Sequence, residues 1–345
     1  MDHQKLASTA HALVAPAKGI LAADESSPTI ARRFDSIQVE STEENRRDYR
    51  EMLFRAKGAN NYISGIILFD ETIRQNGADG TSLVQVLKDQ NIIPGIKVDQ
   101  SGKDLAGSPT EKITEGLDGL RERLFEYSSL GAQFTKWRAI ITIGSAIPTK
   151  YCIDVNAHAL ARYAALSQEA GLVPIVEPEV LMDGDHSIER CCEVTQMTLR
   201  EVFYQLGIQG VDVGGILLKP NMVLSGKSAK NRATPSEVGK QTVDCFKSVL
   251  PPALPGVVFL SGGQSDEEAT VNLNAINQEA AVVGAPWQLS FSYGRGLQSA
   301  PLKAWAGLAA NTGKAQSVFL HRALVTSAAR QGAYTQEMER EAATV

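Results

Sequence analysis

Short apolar runs alternate with longer amphipathic stretches along most of the chain. Each apolar run is bounded by glycine, proline or charged residues, which is typical of buried strands in a parallel sheet. Eight strands are predicted in this way, at residues 19–24, 62–69, 93–99, 134–141, 172–179, 215–219, 257–263 and 289–296. The amphipathic stretches predict helices at residues 42–57, 81–89, 110–130, 154–170, 185–206, 235–249, 265–280, 299–310 and 313–330.

The repeated alternation of strand and helix favours an α/β fold built on a parallel sheet. Eight such units in a chain of 345 residues match a single (β/α)8 TIM barrel over residues 1–345 better than an open doubly wound sheet. An extra N-terminal helix is predicted at residues 4–17, and further helices follow the last strand. Residues 332–345 show no apolar periodicity, so a mobile C-terminal tail is expected there.

Composition narrows the classes of function. The chain is 43% hydrophobic, enough for a large core, and its net charge of −5 gives no sign of a nucleic-acid or membrane partner. No run reaches the ~18 apolar residues of a membrane-spanning helix. The five histidines are scattered without the spacing of a metal site, so neither a metal nor another cofactor is expected.

The cysteines bear on the cellular compartment. The four cysteines, Cys152, Cys191, Cys192 and Cys245, form no C-x-x-C pair, so a reduced, cytoplasmic protein is the simplest interpretation. The adjacent Cys191 and Cys192 leave a redox role open. The N-terminal residues have no signal- or transit-peptide pattern, and a processed plastid protein is an open alternative.

A lysine closes one of the predicted strands. Lys219 ends the apolar run 215–219, and Pro220 follows it at once. Proline cannot donate a ladder hydrogen bond and keeps the preceding residue extended, so Lys219 is predicted where a buried strand opens into a loop. Other predicted strands also end in polar residues or glycine, and a barrel gathers these ends around one mouth. They are Asp24, Lys97, Lys136, Arg138, Glu177, Glu179, Ser261, Gly262, Ser292, Gly294 and Arg295.

The period of a strand places some of these charges on one face. Lys136 and Arg138 are two residues apart, as are Glu177 and Glu179, so each pair is predicted to face the barrel axis. Lys219 on the next strand is then within reach of both pairs. A salt-bridge plug filling the barrel is the structural alternative. We favour it less, because apolar residues would fill that space at no loss of stability.

The same cluster suits Schiff-base chemistry. A lysine attacks a ketone only as the neutral amine, and with an ordinary pKa of ~10.4 less than about a thousandth is neutral at pH 7. Burial of Lys219 and the positive charge of Lys136 both lower that pKa. Glu177 can carry protons as the carbinolamine loses water. Asp24 is placed to accept the proton of the substrate hydroxyl that becomes a carbonyl.

Two groups at the predicted mouth can bind anions. Ser261 with Gly262, and Ser292 with Gly294 and Arg295, end the last two strands, where barrels commonly bind phosphate. The second group combines basic and hydroxyl side chains of the first and third strand ends, namely Lys97, Ser26, Thr29, Arg32 and Arg33. Two anion sites beside one lysine indicate a bisphosphate substrate.

These residues lie in segments that resemble class I (Schiff-base) fructose-bisphosphate aldolases. The matching segments are GILAADES (19–26), STEENRR (41–47), GIKVD (95–99), KWR (136–138), VPIVEPE (173–179), LLKPNM (217–222), FLSGGQS (259–265) and FSYGR (291–295). They occur in order over nearly the whole chain, and as a set they are highly specific. The resemblance implies a TIM barrel, a metal-independent lyase and a homotetramer.

The resemblance also implies a reaction, the reversible cleavage of fructose 1,6-bisphosphate to dihydroxyacetone phosphate and glyceraldehyde 3-phosphate in glycolysis, gluconeogenesis or the Calvin cycle. By position, Lys219 would form the Schiff base, Glu177 would serve its formation and hydrolysis, and Asp24 would serve C–C cleavage. Lys136 and Glu179 would tune these charges. Ser261, Gly262, Gly294 and Arg295 would hold the C1 phosphate, and Ser26, Thr29, Lys97 and Arg138 would lie towards the C6 phosphate.

Two alternatives stay open beside this reading. The same chemistry could serve sedoheptulose 1,7-bisphosphate or fructose 1-phosphate, and a non-catalytic scaffold is disfavoured because the set of charges is complete.

One departure from the family pattern concerns the C-terminus. Animal and plant members typically end in a tyrosine that helps protonate the enamine, whereas the last tyrosine here is Tyr334 and the chain ends Ala-Ala-Thr-Val. We therefore expect enamine protonation to depend less on the tail.

Overall fold

Eight parallel strands close into a barrel in a computed structural model that describes residues 2–340. The strands are β1 (Gly19–Ala22), β2 (Ile63–Leu68), β3 (Ile93–Lys97), β6 (Phe134–Ile141), β7 (Val173–Val180), β8 (Leu217–Leu218), β9 (Gly256–Phe259) and β10 (Gln288–Tyr293). They pair in this order around the barrel, and β10 pairs with β1 to close it. The predicted TIM barrel is thus confirmed. The remaining strands, β4 (Gly102–Leu105) and β5 (Ser108–Thr114), form a separate antiparallel hairpin.

Helices surround the barrel and extend it at both ends of the chain. They are α1 (His3–Leu13), α2 (Ser27–Asp35), α3 (Glu43–Phe54), α4 (Asp70–Arg74), α5 (Leu83–Asp89), α6 (Leu120–Ser129), α7 (Lys150–Glu169), α8 (Ile188–Ile208), α9 (Pro235–Lys247), α10 (Asp266–Val283), α11 (Arg295–Trp305) and α12 (Thr312–Arg330). Side-chain caps start the four consecutive helices from α7 to α10, because Thr149, Ser187, Thr234 and Ser265 each accept a backbone N–H of the first turn.

The N-terminal helix α1 closes the floor of the barrel. Its apolar face, with Leu6 and Leu13, packs in one cluster with inward-facing strand residues such as Phe134 and Leu217. The fit is close at Gly215, where a Cβ atom would lie 2.9 Å from Leu6 Cβ. The predicted helix at 4–17 therefore exists, ends earlier than expected, and seals the end of the barrel opposite the mouth.

Side-chain alternation separates an apolar floor from a charged mouth. Along β6, the inward positions run from Phe134 in the floor cluster to Lys136 and Arg138, both of which line the mouth. The residue between them, Trp137, points outward and stacks on Tyr163 of α7, with ring centroids 5.6 Å apart. The prediction that the charged pair faces the axis and the tryptophan faces the helices is thus seen in the fold.

Two predicted elements differ from the structure. A helix was expected over 110–130, but residues 108–114 form strand β5 of the hairpin and only Leu120–Ser129 are helical. Gly107, with φ +78° at the tip of the hairpin, makes that turn possible. The strand predicted at 215–219 is shorter, because a 3-10 turn occupies Val213–Gly215 and only two residues pair as β8.

The segment after α12 folds back on the protein. Tyr334 donates its backbone N–H to Asn274 Oδ1 of α10 at 3.0 Å, and Glu339 pairs with Arg322 of α12. A mobile tail is expected from residue 332, and over 332–340 the structure shows a 3-10 turn at Gln336–Glu339 and contacts with α10 and α12. The rest of the expected tail, 341–345, lies outside the described residues. Between residues 2 and 340, no helix is long and apolar enough to cross a membrane.

Candidate active site

A cavity of about 510 Å³ opens at the carboxyl-terminal mouth of the barrel. The residues predicted to act in catalysis or to bind the substrate line it: Asp24, Ser26, Thr29, Lys97, Lys136, Arg138, Glu177, Glu179, Lys219, Ser261, Gly262, Ser292, Gly294 and Arg295. Arg33 also lines the cavity, whereas Arg32 does not. The barrel therefore brings together side chains that are far apart in the sequence, as the positions of the strand ends require.

Lys219 is fixed where β8 ends. Its backbone N–H donates to the Val176 carbonyl of β7 at 2.8 Å, and the carbonyl of Pro220 accepts from Leu260 of the neighbouring segment at 3.3 Å. Asn221 follows Pro220 in the loop, and it too is fixed, because its side-chain Oδ1 accepts the backbone N–H of Val180 at the end of β7 at 3.1 Å. The backbone on both sides of Lys219 is thus anchored, and the side chain enters the cavity from a rigid base.

Four buried charges meet at the centre of the cavity. Lys219 Nζ lies 3.5 Å from Glu177 Oε1, and Lys136 Nζ lies 2.9 Å from the other oxygen of the same carboxylate. Lys136 Nζ also donates to Asp24 Oδ2 at 3.1 Å. Lys219 and Glu177 are each only 3% exposed, so solvent does not screen these contacts. Two cations and two carboxylates thus balance each other in a desolvated site.

The pKa values of the two lysines in this cluster are shifted in opposite directions. Burial lowers the pKa of Lys219, Glu177 opposes the shift, and the charge of Lys136 adds to the lowering. Burial also disfavours the charged form of Lys136, but Asp24, Glu177 and Asp99 outweigh it and raise the pKa of Lys136 above its usual value. One lysine is therefore biased towards the neutral amine, while the other stays an ammonium ion.

Asp24 stays ionised in this environment. Burial tends to raise the pKa of Asp24, but Lys136, Lys219 and Lys97 together lower it to about 2. Asp24 thus carries a negative charge throughout the neutral range. It can accept a proton from a substrate hydroxyl without first having to lose its own.

A second ring of ion pairs surrounds the centre. Arg138 pairs with Glu179, and Lys97 Nζ lies 2.6 Å from Asp99 Oδ1. Asp99 also accepts the backbone N–H of Arg138 at 3.2 Å, so one carboxylate braces both cations. Glu179 in turn lies against Gly262, where an added Cβ would come within 2.7 Å of Glu179 Oε1. The glycine is needed there because backbone and carboxylate approach closely.

The first predicted anion group lies where α11 begins. Gly294 precedes α11, and this N-terminus has no side-chain cap, in contrast to those of α7 to α10. Ser292 Oγ is buried, and it has no hydrogen-bond partner among residues 2–340. Free amides at a helix N-terminus, the Arg295 guanidinium and an unpaired hydroxyl are groups that bind phosphate oxygens.

The second anion group surrounds the start of α2. Ser26 precedes α2, which also begins without a side-chain cap. Ser26 Oγ and Thr29 Oγ1 are 3.2 Å apart, and Arg32 donates to Thr29 Oγ1 at 3.3 Å. Arg33 pairs with Glu25. The hydroxyls and the helix N-terminus are thus open to an anion, while Arg33 is already neutralised by a carboxylate.

Sequence reasoning missed several residues of the cavity. Asp99 braces Lys97, and it shares the strand parity of Lys97, two residues away, which could have revealed it. Lys227 also lines the cavity, from a loop whose backbone is bonded to the loop after β7. Among the described residues, no group of three or more His, Cys, Asp or Glu side chains could hold a metal ion.

The fold and the site define a TIM-barrel enzyme with a buried lysine of lowered pKa at its mouth. The sequence profile of the glycolytic family described as "Fructose-bisphosphate aldolase class-I" matches residues 5–345. The chain therefore belongs to the class I fructose-bisphosphate aldolases, which are aldehyde-lyases.

Individual relatives agree over nearly the full length of the chain. A "Probable fructose-bisphosphate aldolase class 1" of Xanthomonas campestris pv. campestris is 56% identical over 94% of this chain and 96% of its own. "Fructose-bisphosphate aldolase 4, cytosolic" of Arabidopsis thaliana is 52% identical over 92% of this chain and 81% of its own. The solved fructose-bisphosphate aldolase of Plasmodium falciparum, in a ternary complex with TRAP and a small-molecule inhibitor, is 51% identical, with a TM-score of 0.94 and 96% of each chain covered.

Proposed function

We propose that this aldolase works through a Schiff base on Lys219, and that the cluster of Lys219, Glu177, Lys136 and Asp24 carries the reaction. The neutral Lys219 amine attacks the C2 carbonyl of fructose 1,6-bisphosphate and forms a carbinolamine. Glu177, 3.5 Å from the amine, accepts the proton that the Lys219 ammonium loses on becoming the neutral amine, and then donates that proton to the C2 hydroxyl, which leaves as water. The product is an iminium ion, which withdraws electrons from the neighbouring C–C bond.

Cleavage follows at the bond between C3 and C4. Asp24 accepts the proton of the C4 hydroxyl, the C3–C4 electron pair moves into the iminium, and glyceraldehyde 3-phosphate leaves. Protonation of the enamine at C3 and hydrolysis of the iminium release dihydroxyacetone phosphate and restore Lys219. Lys136 contacts both Glu177 and Asp24 and keeps the two carboxylates in place for these steps. Glu179 orients Arg138 and tunes the field around them.

The two anion groups would hold the ends of the substrate. The C1 phosphate fits the α11 group of Ser261, Gly262, Ser292, Gly294 and Arg295, next to Lys219. The C6 phosphate fits the other side of the mouth, with Ser26, Thr29, Lys97 and Arg138. Sedoheptulose 1,7-bisphosphate also carries phosphates at both ends and is the alternative substrate that this arrangement best accommodates.

The family supports the cellular setting that we propose. The same residues catalyse cleavage in glycolysis and condensation in gluconeogenesis or the Calvin cycle. A cytoplasmic location agrees with the printed name of the Arabidopsis relative. A homotetramer agrees with the family resemblance. Met197, Tyr204 and Ile208 are exposed side chains of α8, and they offer apolar surface that a subunit contact could cover.

Paired substrates test this assignment. We expect the catalytic efficiency to be at least about tenfold higher with fructose 1,6-bisphosphate than with fructose 1-phosphate, because only the bisphosphate uses the second anion group. A Thr29→Val variant, which keeps the side-chain shape but removes the hydroxyl, should reduce the ratio of the catalytic efficiencies with the two substrates. Full activity is expected in excess EDTA. Equal efficiency with both substrates would contradict the C6 phosphate site, and loss of activity in EDTA would contradict a metal-independent mechanism.

A further inference from the structure

Three of the four cysteines cluster behind the loop that follows the catalytic lysine. Cys191 and Cys192 lie in α8, and Cys245 lies in the neighbouring α9. Cys152 is in α7 and belongs to a different contact, near the carbonyl of Lys112. All four are free thiols, and the reaction at the barrel mouth uses none of them. The cluster therefore requires an explanation of its own.

The adjacent cysteines face different neighbours, because successive residues of a helix point about 100° apart. Cys191 is 2% exposed, and its Sγ accepts the backbone N–H of Leu224 at 3.4 Å. Cys191 thus supports the loop after β8. Cys192 is half-buried and faces α9, where the Sγ atom of Cys245 lies 4.0 Å from the Cys192 carbonyl oxygen.

We propose that Cys192 and Cys245 form a peroxide-sensitive thiol pair, in which Cys192 is the reacting sulfur and Cys245 resolves it to a disulfide. The pair combines a partly accessible cysteine, Cys192, with a buried one, Cys245, whose sulfur lies 4.0 Å from the Cys192 carbonyl oxygen across the contact between α8 and α9. An accessible first sulfur and a resolving cysteine beside it are the two parts that reversible thiol oxidation needs. Cys191 takes no part, since it is buried and committed to the loop.

The protonation states fit this division of roles. The neighbouring Cys245 side chain lowers the pKa of Cys192 to about 7, against the opposing effects of burial and of Asp244 and Glu189. Cys192 and burial in turn raise the pKa of Cys245, with Arg200 opposing. Burial raises the pKa of Cys191 to about 11. At neutral pH, Cys192 therefore carries a larger fraction of thiolate than Cys191 or Cys245, and the thiolate is the form that reacts.

The oxidation balances with hydrogen peroxide as the oxidant. The Cys192 thiolate attacks one peroxide oxygen, the O–O bond breaks, and Cys192 becomes a sulfenic acid while hydroxide leaves. The Cys245 sulfur then attacks the Cys192 sulfur, the S–S bond forms, and the S–O bond breaks. The departing hydroxide takes the Cys245 proton and leaves as water. In sum, two thiols and one peroxide give one disulfide and two water molecules.

The disulfide would tie together two helices that both hold the catalytic loop. From α8, Thr195 Oγ1 accepts the Asn221 side-chain N–H at 3.1 Å. From α9, Thr242 Oγ1 accepts the backbone N–H of Val223 at 3.0 Å. A covalent bond between Cys192 and Cys245 fixes the spacing of these supports. Oxidation is therefore expected to raise the midpoint of thermal unfolding of the whole protein.

Peptide mapping after peroxide treatment tests the proposal on the full-length protein. Trypsin separates the two sites into peptides 191–200 and 241–247, which would be joined by the disulfide in the absence of reductant. We expect the joined peptide after brief treatment with hydrogen peroxide, with fragmentation between Cys191 and Cys192 assigning the bond to Cys192. Dithiothreitol should restore both free peptides.

Variants separate the two roles. In Cys245→Ser, Cys192 should proceed to sulfinic or sulfonic acid that dithiothreitol does not reverse, because the resolving thiol is absent. Cys152→Ser, the matched control, should form the disulfide like the wild type. The proposal is overturned if peroxide leaves peptides 191–200 and 241–247 unlinked in the wild type, or if the bond involves Cys191 or Cys152. Mapping of the wild type decides this even where a variant does not fold.

Discussion

Lys219 Nζ lies 3.5 Å from Glu177 Oε1, at the outer limit of a hydrogen bond. The other oxygen of that carboxylate is 2.9 Å from Lys136, which also contacts Asp24. Glu177 is therefore held mainly by Lys136, and its charge does not trap Lys219 as a tight ion pair. Because Lys136 holds Glu177, the carboxylate can stay close to the Lys219 amine without cancelling the lowering of the Lys219 pKa. The next two predictions depend on it.

Replacing Lys136 should shift the pH dependence of the reaction. The charge of Lys136 contributes to the lowered pKa of Lys219, so Lys136→Met should raise that pKa and move the acidic limb of kcat/KM to higher pH. At pH 7 we expect activity to fall by about 100-fold or more, since Glu177 and Asp24 also lose their shared partner. Lys136→Arg keeps the charge and should leave the limb near its original position. An unmoved limb in Lys136→Met would contradict the electrostatic role.

The two carboxylates of β7 should differ in importance. Glu177→Gln keeps the shape but removes the proton carrier, so kcat should fall by about 10²–10⁴-fold. Glu179→Gln is the matched control, because Glu179 pairs with Arg138 and has no direct contact with Lys219. Its activity should exceed that of Glu177→Gln by roughly tenfold or more. Steady-state kinetics of both variants check this, and equal losses would show that the position beside the amine does not matter.

Asp24 should contribute stability that is lost in acid. Its pKa is lowered from 3.8 to about 2 in the folded protein, so its ionised form favours folding above pH 4. That contribution, on the order of 2 kcal/mol, disappears as the pH falls from about 4 to about 2. Urea unfolding across this range should show a smaller loss of stability in Asp24→Asn than in the wild type. Parallel pH profiles for the two proteins would refute the lowered pKa.

The close approach at Gly262 should be essential for the C1 phosphate site. In Gly262→Ala, the new Cβ would lie 2.7 Å from Glu179 Oε1, so the backbone or the carboxylate must move. A displacement of this size should lower kcat/KM by about 100-fold. Gly284→Ala is the control, since an added Cβ at Gly284 would meet no neighbour within 4 Å and only its φ of +63° would oppose the substitution. It should lose stability by roughly 1–2 kcal/mol and keep wild-type kinetics.

Much of the site could be predicted because each strand carries its own signal. Lys136 and Glu177 interrupt apolar strands at inward-facing positions, and a buried charge at a strand end is visible in the sequence alone. The barrel then fixes which ends meet. Asp99 shares the strand parity of Lys97, but it lies just beyond the end of β3, and parity alone does not identify its partners. Its role depends on contacts with Lys97 and with the next barrel strand, which only the folded chain shows.

The hairpin of β4 and β5 could not be predicted for a different reason. Its residues are mostly polar and partly exposed, so they lack the apolar run that marks a barrel strand. The segment 108–114 was therefore merged with the amphipathic helix that follows. The turn at Gly107 and the proline at position 109 were the available signals against a helix.

The most direct test of the mechanism is borohydride reduction in the presence of dihydroxyacetone phosphate, followed by tryptic mapping. Trypsin does not cut between Lys219 and Pro220, so the lysine stays inside peptide 201–227 whether or not it is modified. We predict one reduced adduct, on Lys219, in the wild type and in Asp24→Asn, in which only cleavage is impaired. Lys219→Arg should form none. An adduct on Lys136 or another lysine, or no adduct in the wild type, would contradict the Schiff-base mechanism.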